Sequence, residues 1–363
     1  MRAGAAFILL ALLTIGLAGG DSSSAAKIAQ AQKQLEPRLL TLPPQPITAA
    51  QFLAQVDKQT GNAVVDRRTG KHDQPLTLEF DKVPFWQALD QFAARVNCGY
   101  TAYGNDGGVA LVDTARRSHY ISYHGITRTA IKRRAVAQDS DTDAATCTIH
   151  LDVAWEPRFH PFYLGVGPAT ATYVPRGVAK ELKAQAPGRG QLPVAGRSAI
   201  EVELHLPAPP RQSPAIATLE GSFKFIGPSK MLTFRFADIK SNAALEQEEV
   251  SVRLTKVKEG LDRVLIDVQI DNPEGTPVFE TYQTWLDNNR ISLVKGDGGK
   301  QYSWLPEPNE TVLVETNRRA VVQYAFAVTK SKGKLADWAL VYRTPGRIVE
   351  LTVPYLFKDV PLP

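Results

Sequence analysis

The six histidines are the residues of this chain best suited to metal or acid–base chemistry, but their spacing favours neither. No two of them stand four residues apart, the spacing that places a pair on one face of a helix. His119 and His124 point to opposite faces if that stretch is a strand, whereas His150 and Asp152 share a face and supply only two ligands. Catalytic zinc needs three protein ligands and an open position. The sequence therefore predicts no metal site, and its histidines are His72, His119, His124, His150, His160 and His205.

Sequence motifs for calcium and dinucleotide binding are present only in part, and the motif for acyl transfer is absent. Asp139–Asp143 imitates the start of a calcium-binding loop, yet Ala144 stands where that loop needs glycine and His150 where it needs glutamate. The run from Gly165 to Thr170 lacks the third glycine of a dinucleotide fingerprint. No Gly-x-Ser-x-Gly nucleophile elbow occurs. We therefore expect no catalytic residues and no cofactor, and hence a protein that is not an enzyme.

Tryptophans and paired acids in the C-terminal part of the chain allow an alternative function. Trp285, Trp304 and Trp338 would suit a face that stacks on sugar rings, although aromatic residues in sandwiches more often fill the core. Paired acids such as Glu248 and Glu249 would serve glycoside hydrolysis only if two carboxylates faced each other across a cleft. The alternative is therefore a carbohydrate-binding or carbohydrate-processing envelope protein.

A basic stretch begins at Arg116 and Arg117 and continues to residue 137 without an acid, before the sequence turns acidic. The whole chain has 42 Lys+Arg against 37 Asp+Glu, a net charge of +5. This mild excess allows contact with an anionic cell-wall polymer and does not require it. We interpret residues 114–145 as a basic/acidic linker. Arg116 and Arg117 are candidate partner-binding residues, with a solvated connector as the alternative.

The first twenty residues have the pattern of a secretory signal peptide. Arg2 supplies a positive charge, an apolar run extends from Phe7 to Leu17, and small residues follow up to Gly20. The run is shorter than the ~20 residues that a spanning helix needs, so we predict cleavage, with a membrane anchor as the alternative. We interpret residues 21–38 as a flexible leader, with a frayed helix over Asp21–Gln34 as the alternative. The predicted location is the periplasm or the extracellular space, where we expect no nucleic-acid partner and no stable membrane span.

Two cysteines, Cys98 and Cys147, are candidates for a disulfide bond. Outside the cytoplasm such residues can pair, and closing a loop of about 50 residues would contribute up to roughly 4 kcal/mol on the chain-entropy model. Two separate buried thiols are an equally ordinary outcome. The sequence leaves both possibilities open.

Local signals ahead of the basic stretch predict alternating helices and strands. Thr48 is a predicted N-cap for a helix that Gly61 ends, and Leu76–Phe80 alternates with the period of a strand. Pro84 opens a second helix, which we expect to end at Gly99, followed by a hairpin. Because the order helix, glycine, strand occurs twice, we predict two βα halves that share one sheet.

Three stretches between residues 39 and 113 share their apolar spacing with one domain family. They are Pro46–Leu53, Leu76–Leu89, and Val96–Tyr100 followed by Val109–Val112. On these residues the segment resembles the secretin and TonB short N-terminal (STN) domain. The resemblance implies a periplasmic domain that contacts other proteins, in secretin rings or in TonB-dependent receptors, and it implies no catalytic residue. No secretin pore pattern follows, so we expect an interaction role.

Strand patterns dominate the remainder of the chain. Thr148–Trp155 and Ile200–Leu206 alternate with the period of a strand. Leu232–Ile239 and Leu351–Val360 echo each other as aromatic strands that end in aspartate and a β-branched residue. The echo predicts two β-sandwich domains, 146–240 and 241–363, with a single interleaved sandwich as the alternative. The predicted fold class is α+β: a small βαβ-type STN-like domain followed by one or two mostly antiparallel, Ig-like sandwiches.

These expectations combine into one functional prediction. The chain is a secreted or periplasmic, non-enzymatic scaffold or adaptor that binds an envelope protein partner through its STN-like domain. Phe85 and Trp86, at the start of the second predicted helix, are the candidate partner-binding residues of that domain, although both would equally suit its core.

Overall fold

Strands make up 59% of the residues that the structure describes and helices 13%, so the fold is mostly β. The computed structural model describes residues 21–69, 74–104, 108–114, 119–138, 140–141, 144–175, 178–185, 190–210, 213–271, 288–297, 300–308, 310–316, 318–328 and 333–363. The predicted signal peptide lies outside these ranges. Among the helices that are described, none is both long and apolar enough to cross a membrane.

The described elements form three structural modules, an N-terminal module and two sandwiches, which are not three consecutive stretches of the chain. In chain order they are α1 Asp21–Lys33, β1 Leu39–Ile47, α2 Ala49–Thr60, β2 Val64–Asp66, β3 Leu76–Pro84, α3 Phe85–Arg95, β4 Gly99–Thr101, β5 Val109–Val112, β6 Ile121–His124, β7 Thr127–Gln138, β8 Ala145–Trp155, β9 Tyr163–Tyr173, β10 Lys180–Lys183, β11 Gln191–Pro193, β12 Ala199–Pro207, β13 Ala215–Pro228, β14 Met231–Phe236, β15 Ala244–Gln247, β16 Val250–Glu259, β17 Arg263–Asp271, β18 Arg290–Asp297, β19 Lys300–Trp304, β20 Thr311–Glu315, β21 Arg319–Ala327, a 3₁₀ turn Leu335–Asp337, β22 Ala339–Pro345 and β23 Ile348–Pro361.

The N-terminal module, residues 39–113, begins its first helix where the sequence predicts. Thr48 Oγ1 accepts a hydrogen bond from the Gln51 N–H at 3.3 Å, and Gln51 Oε1 accepts one from the Thr48 N–H at 3.0 Å. This reciprocal pair is a capping box, which satisfies two N–H groups that lack helical partners. Gly61 ends the helix with a φ of 70°, a conformation that glycine adopts without strain. Both predicted ends of α2 are therefore confirmed.

The second helix and the sheets of this module differ in detail from the prediction. Helix α3 begins after Pro84 as expected, but it ends at Arg95, and Asn97 with a φ of 51° turns the chain before Gly99. The strands form two sheets, β1-β3 and β2-β5-β4, and not one shared sheet. Phe52 and Phe92 stack with centroids 4.1 Å apart, so the two helices bury their aromatic faces against each other.

The first sandwich packs the sheet β12-β8-β7-β6 against the sheet β10-β9-β13-β23, and β11 pairs with β9. Alternate residues of a strand turn to the same face, which is how β8 supplies the core with Ile149, Leu151, Val153 and Trp155, all 0% exposed. Trp155 meets Phe225 of β13 edge to face, with 5.3 Å between the centroids. The alternation in the sequence thus predicts the core face of this strand correctly.

Two segments that the sequence predicts as leader and linker are structured parts of this sandwich. Residues 21–38 contain α1, and Ala31 and Leu35 are 5% and 4% exposed in the sandwich core. Residues 114–145 contain β6 and all of β7, and Thr127–Ile131 is buried throughout. The basic composition is misleading because charged side chains of β7 are paired with acids from other elements.

The second sandwich packs the sheet β14-β22-β18-β19 against the sheet β15-β16-β17-β21-β20. Its chain enters through β14, directly after β13, and leaves through β22, directly before β23. Strands β13 and β23 pair along their length, from Ala215 opposite Pro361 to Pro228 opposite Ile348. The second sandwich is therefore inserted between two paired strands of the first.

This connectivity corrects the predicted domain boundaries 146–240 and 241–363. The first sandwich begins with β6 and is completed only by the last strand of the chain, β23. The echoing segments Leu232–Ile239 and Leu351–Val360 lie in different sandwiches, as expected, but the later segment belongs to the first sandwich. A sequence pattern shows that a strand exists and does not show which strand it pairs with.

Candidate functional site

A cleft of about 660 Å³ lies between the N-terminal module and the first sandwich. Its floor consists of residues of β7 and β8 that point away from the sandwich core, among them Arg128, Lys132 and Asp152. One wall comes from β4 and the chain after it, which supply Tyr100 and Tyr103. The cleft therefore depends on the docking of two modules that the sequence predicts as independent.

The carboxylate of Asp90, on α3, is the centre of a hydrogen-bond network at one end of the cleft. It accepts hydrogen bonds from Tyr100 Oη at 2.7 Å, from Tyr123 Oη, and from Arg128 Nε at 2.8 Å. The Arg128 guanidinium also lies over the Tyr100 ring, 5.5 Å from its centroid. The side chains of Arg128 and Asp90 are only 8% and 21% exposed, so the ion pair is shielded from water. The network joins α3 of the N-terminal module to β6 and β7 of the sandwich.

Burial and neighbouring groups keep Tyr100, Tyr123 and Arg128 in their protonated forms. Burial is the main cause that raises the pKa of Tyr100 well above its usual value, with Arg128 opposing and Asp90 adding to the rise. Burial also raises the pKa of Tyr123, and Asp90 adds to it. Burial alone would lower the pKa of Arg128, but Tyr100 and Asp90 raise it overall. At neutral pH these groups therefore donate hydrogen bonds and do not act as proton acceptors.

A second set of contacts holds the side chains at the mouth of the cleft. Tyr103 Oη donates to Asp152, and Lys132 Nζ lies 5.6 Å from the centroid of the Tyr103 ring. Lys132 Nζ also donates to Glu201 Oε2 at 2.5 Å, and this bond is the main cause that lowers the pKa of Glu201. His150 Nδ1 lies 3.0 Å from Glu201 Oε1. Tyr103 is nevertheless 47% exposed, so its ring is accessible to a ligand.

The aromatic pair predicted to bind a partner is buried inside the protein. Phe85 and Trp86 are 1% and 2% exposed. Trp86 Nε1 donates a hydrogen bond to the Ile126 carbonyl oxygen at 3.1 Å, in the turn between β6 and β7. This face of α3 thus contacts the chain's own first sandwich, and the two residues form no exposed docking surface.

Arg116 and Arg117, the other two residues predicted to bind a partner, lie outside the described residues. Cys98 and Cys147 are free thiols buried in two different cores, those of the N-terminal module and of the first sandwich. The candidate disulfide is therefore not formed, and burial raises the pKa of both thiols. Within the described ranges, no three His, Cys, Asp or Glu side chains converge as metal ligands.

The tryptophans predicted as a sugar-stacking face are core residues where they are described. Trp304 and Trp338 are 4% and 5% exposed, and their ring centroids lie 5.5 Å apart in the second sandwich. Trp285 lies outside the described residues. The described tryptophans therefore provide no surface on which a sugar ring would stack.

Sequence reasoning missed the network because its members are far apart in the chain. Asp90 and Arg128 are separated by 38 residues, and Tyr103 and Asp152 by 49. One signal was present: the stretch that contains Arg128 and Lys132 has no acid of its own. Such a stretch, when buried, must take its acidic partners from other elements.

No family model matches this chain, and neither the curated proteins nor the solved structures give a match to it. The functional interpretation therefore rests on the residues and geometry of the chain itself.

Proposed function

We propose that this protein is an exported, non-enzymatic scaffold or adaptor of the cell envelope that binds a partner protein in the cleft between its N-terminal module and its first sandwich. The observation that carries the proposal is the position of β4, which is an edge strand beside this cleft. The secretory pattern of residues 1–20 and the STN-like spacing of residues 39–113 support it. In this proposal the N-terminal module is STN-like and the two sandwiches are Ig-like.

Strand β4 provides the means of binding an extended polypeptide. It is the last strand in the order β2-β5-β4, and within the described residues it pairs with β5 alone. An extended segment of a partner adds to such an edge through main-chain hydrogen bonds, while neighbouring side chains select its sequence. Tyr103 offers an aromatic surface at this edge, and Lys132 and Asp152 offer one charge of each sign. We therefore expect a partner segment with apolar and charged residues in alternation.

The pairing of charged groups in the cleft supports a role in ligand binding and not in catalysis. Asp90, Arg128 and Glu201 are each held by a charge partner, and Tyr100 keeps its proton because burial raises its pKa. A general base must be free to accept a proton near neutral pH. Groups that are fixed in this way position a ligand and are poorly suited to proton transfer.

A photo-crosslinking amino acid placed in intact producing cells tests the proposal. When the probe replaces Tyr103, we expect it to form an adduct with one envelope protein, which mass spectrometry identifies. We expect the additional substitution Lys132→Glu to reduce the yield of this adduct. The matched control places the same probe at Leu261, which is 102% exposed in the second sandwich.

Three results would overturn this function. One is the absence of any protein adduct from the Tyr103 position at full expression. Another is the same adduct from Leu261, because a nonspecific neighbour would produce it. Capture of a polysaccharide alone at Tyr103 would also reject the protein partner and favour the carbohydrate alternative.

A further inference from the structure

A separate groove of about 510 Å³ lies where β6 meets the last strand, β23. Residues of β6, β9, β13 and β23 line it, and none of them lines the cleft described above. The Leu356 N–H donates to Ser122 Oγ at 3.2 Å, which joins the two strands beside the groove. Its volume falls within the range of about 300–1,000 Å³ that small-molecule sites occupy.

Tyr355 gives the strongest indication that this groove binds a ligand. It is 2% exposed, and its hydroxyl has no hydrogen-bond partner within the described part of the chain. A buried hydroxyl without a partner is unfavourable by roughly 1–3 kcal/mol. Native proteins satisfy nearly all such groups, so an unsatisfied one next to a cavity indicates that something else completes it.

Two glycines make room for hydroxyl groups at the groove. Gly221 stands directly opposite Tyr355 in the β13–β23 ladder, and a Cβ atom there would lie 2.3 Å from Tyr355 Oη. A Cβ atom at Gly167 would lie 2.6 Å from Ser222 Oγ. The β13–β9 register also shifts between Gly221 and Phe223, and such irregularities recur beside binding sites. The backbone is therefore shaped around these two hydroxyls.

The chemistry of the lining narrows the class of ligand. Five hydroxyl side chains line the groove together with the carboxylate of Glu220 and the imidazole of His124; the hydroxyls belong to Ser122, Tyr123, Thr170, Ser222 and Tyr355. No lysine or arginine is among the described lining residues, and the Glu220 carboxylate repels an anion, so the lining favours a neutral ligand to which His124 can offer a ring nitrogen. Prolines and a leucine supply apolar contacts. A ring that carries hydroxyls at its rim and C–H groups on its faces matches this combination, because each hydroxyl donates and accepts.

We propose that this groove binds a neutral sugar residue, with the Tyr355 hydroxyl donating to a ligand oxygen and Glu220 accepting from ligand hydroxyls. The residues that line this groove and those that line the partner cleft do not overlap, and the groove differs from the tryptophan face considered from sequence. Tyr123 lines the groove and also donates to Asp90, but neither Tyr355 nor Glu220 is part of that network. A test of the sugar site can therefore fail without contradicting the proposed protein partner, and a test of the protein partner can fail without contradicting the sugar site.

An array of immobilised neutral oligosaccharides, hexose and N-acetylhexosamine oligomers, tests the site, followed by calorimetric titration of the best-bound sugar. We expect the wild-type protein to bind, Tyr355→Phe to weaken the affinity about tenfold, and Glu220→Gln about threefold. The matched control is Tyr342→Phe, which removes a hydroxyl from a tyrosine that is 0% exposed in the second sandwich. We expect this control to leave the affinity unchanged.

Stability measurements separate lost binding from lost folding. Tyr355→Phe removes an unpartnered hydroxyl and retains the ring, so we expect the ligand-free variant to melt at or slightly above the wild-type temperature. The proposal is overturned if no neutral oligosaccharide binds, if Tyr355→Phe binds as well as the wild type, or if Tyr342→Phe weakens binding equally.

Discussion

Asp90 receives hydrogen bonds from side chains of three strands, β4, β6 and β7. It balances the charge of Arg128, whose side chain is 8% exposed, and it holds the hydroxyls of Tyr100 and Tyr123. A buried ion pair adds little when it is compared with an apolar pair, but removing one partner leaves an uncompensated charge. At the scale of single residues, Asp90 is therefore the contact on which the shape of the cleft depends most.

Asp90→Asn tests this dependence. We expect the substitution to lower the free energy of unfolding by about 3 kcal/mol, because Arg128 loses its counter-ion while it stays buried. Urea denaturation measures the change. Asp81→Asn, at an exposed position on β3, is the control and should change the stability by less than about 0.5 kcal/mol. Equal effects of the two substitutions would show that the network is not required for docking.

Buried tyrosines predict how stability depends on alkaline pH. Burial raises the pKa of Tyr324 to about 12, and it also raises the pKa of Tyr100, Tyr123, Tyr342 and Tyr355. Because the folded-state pKa lies above the unfolded value near 10, this contribution is fully present below pH ~10 and is lost as the pH rises through the folded pKa. We expect the free energy of unfolding to fall between pH ~10 and ~12. Tyrosinate absorbance that reaches its full amplitude near pH 10 in a still-folded protein would contradict this.

The turn between β15 and β16 forms ion pairs with residues of several other parts of the chain. Glu248 and Glu249 have φ values of 48° and 70°, a region that two-residue hairpin turns normally fill with asparagine and glycine. Glu249 Oε2 pairs with Arg347 Nη2 at 2.7 Å and its other oxygen with Lys27 of α1, while Glu248 pairs with Lys230 at 2.5 Å. The turn thus holds two carboxylates in a strained backbone at the junction of α1 and both sandwiches.

Replacing this turn with Asn-Gly compares backbone strain with ion pairing. Relief of two strained residues is worth about 1–3 kcal/mol each, whereas exposed ion pairs contribute about 0–1 kcal/mol each. We therefore expect Glu248→Asn with Glu249→Gly to raise the free energy of unfolding by about 1 kcal/mol, measured in urea. The control, Glu248→Gln with Glu249→Gln, keeps the strain and should lower the stability slightly. A large loss with Asn-Gly would mean that the ion pairs outweigh the strain.

At the scale of the whole molecule, a continuous antiparallel ribbon connects the two sandwiches. The Ser229 N–H donates to the Arg347 carbonyl oxygen at 2.8 Å, and the Gly346 N–H donates to the Lys230 carbonyl oxygen at 3.0 Å. These bonds join the β13–β23 ladder to the β14–β22 ladder without a gap. The chain therefore leaves and re-enters the first sandwich through neighbouring strands.

This topology predicts which fragment folds. A chain that lacks residues 231–345, with Lys230 joined to Gly346 through Asn-Gly, should keep β13 and β23 as a hairpin and unfold cooperatively in urea. It should be less stable than the full chain, because Phe162 and Tyr163, which pack on the second core, become exposed. The fragment 146–240 lacks β6, β7 and β23, and we expect it to show no cooperative transition. Folding of that fragment alone would contradict the insertion.

Local rules explain which parts of the fold could be predicted from sequence. The capping box at Thr48, the left-handed glycine at Gly61 and the proline start of α3 depend on residues within one or two helical turns. The alternation of β8 likewise needs only its own residues. The mostly β character and the presence of antiparallel sheets followed from the same signals.

The candidate sites depended on the tertiary structure because they form where distant elements meet. The sequence by itself determined that Trp86 lies on an apolar helix face, that Arg128 lacks a nearby acid and that β23 is a strand. Only the folded chain decided that Trp86 docks on Ile126, that Arg128 pairs with Asp90 and that Tyr355 lies against Gly221. In isolation, the alternative helix faces and the alternative strand partners have similar energies. The native arrangement is selected because it alone packs all three cores at the same time.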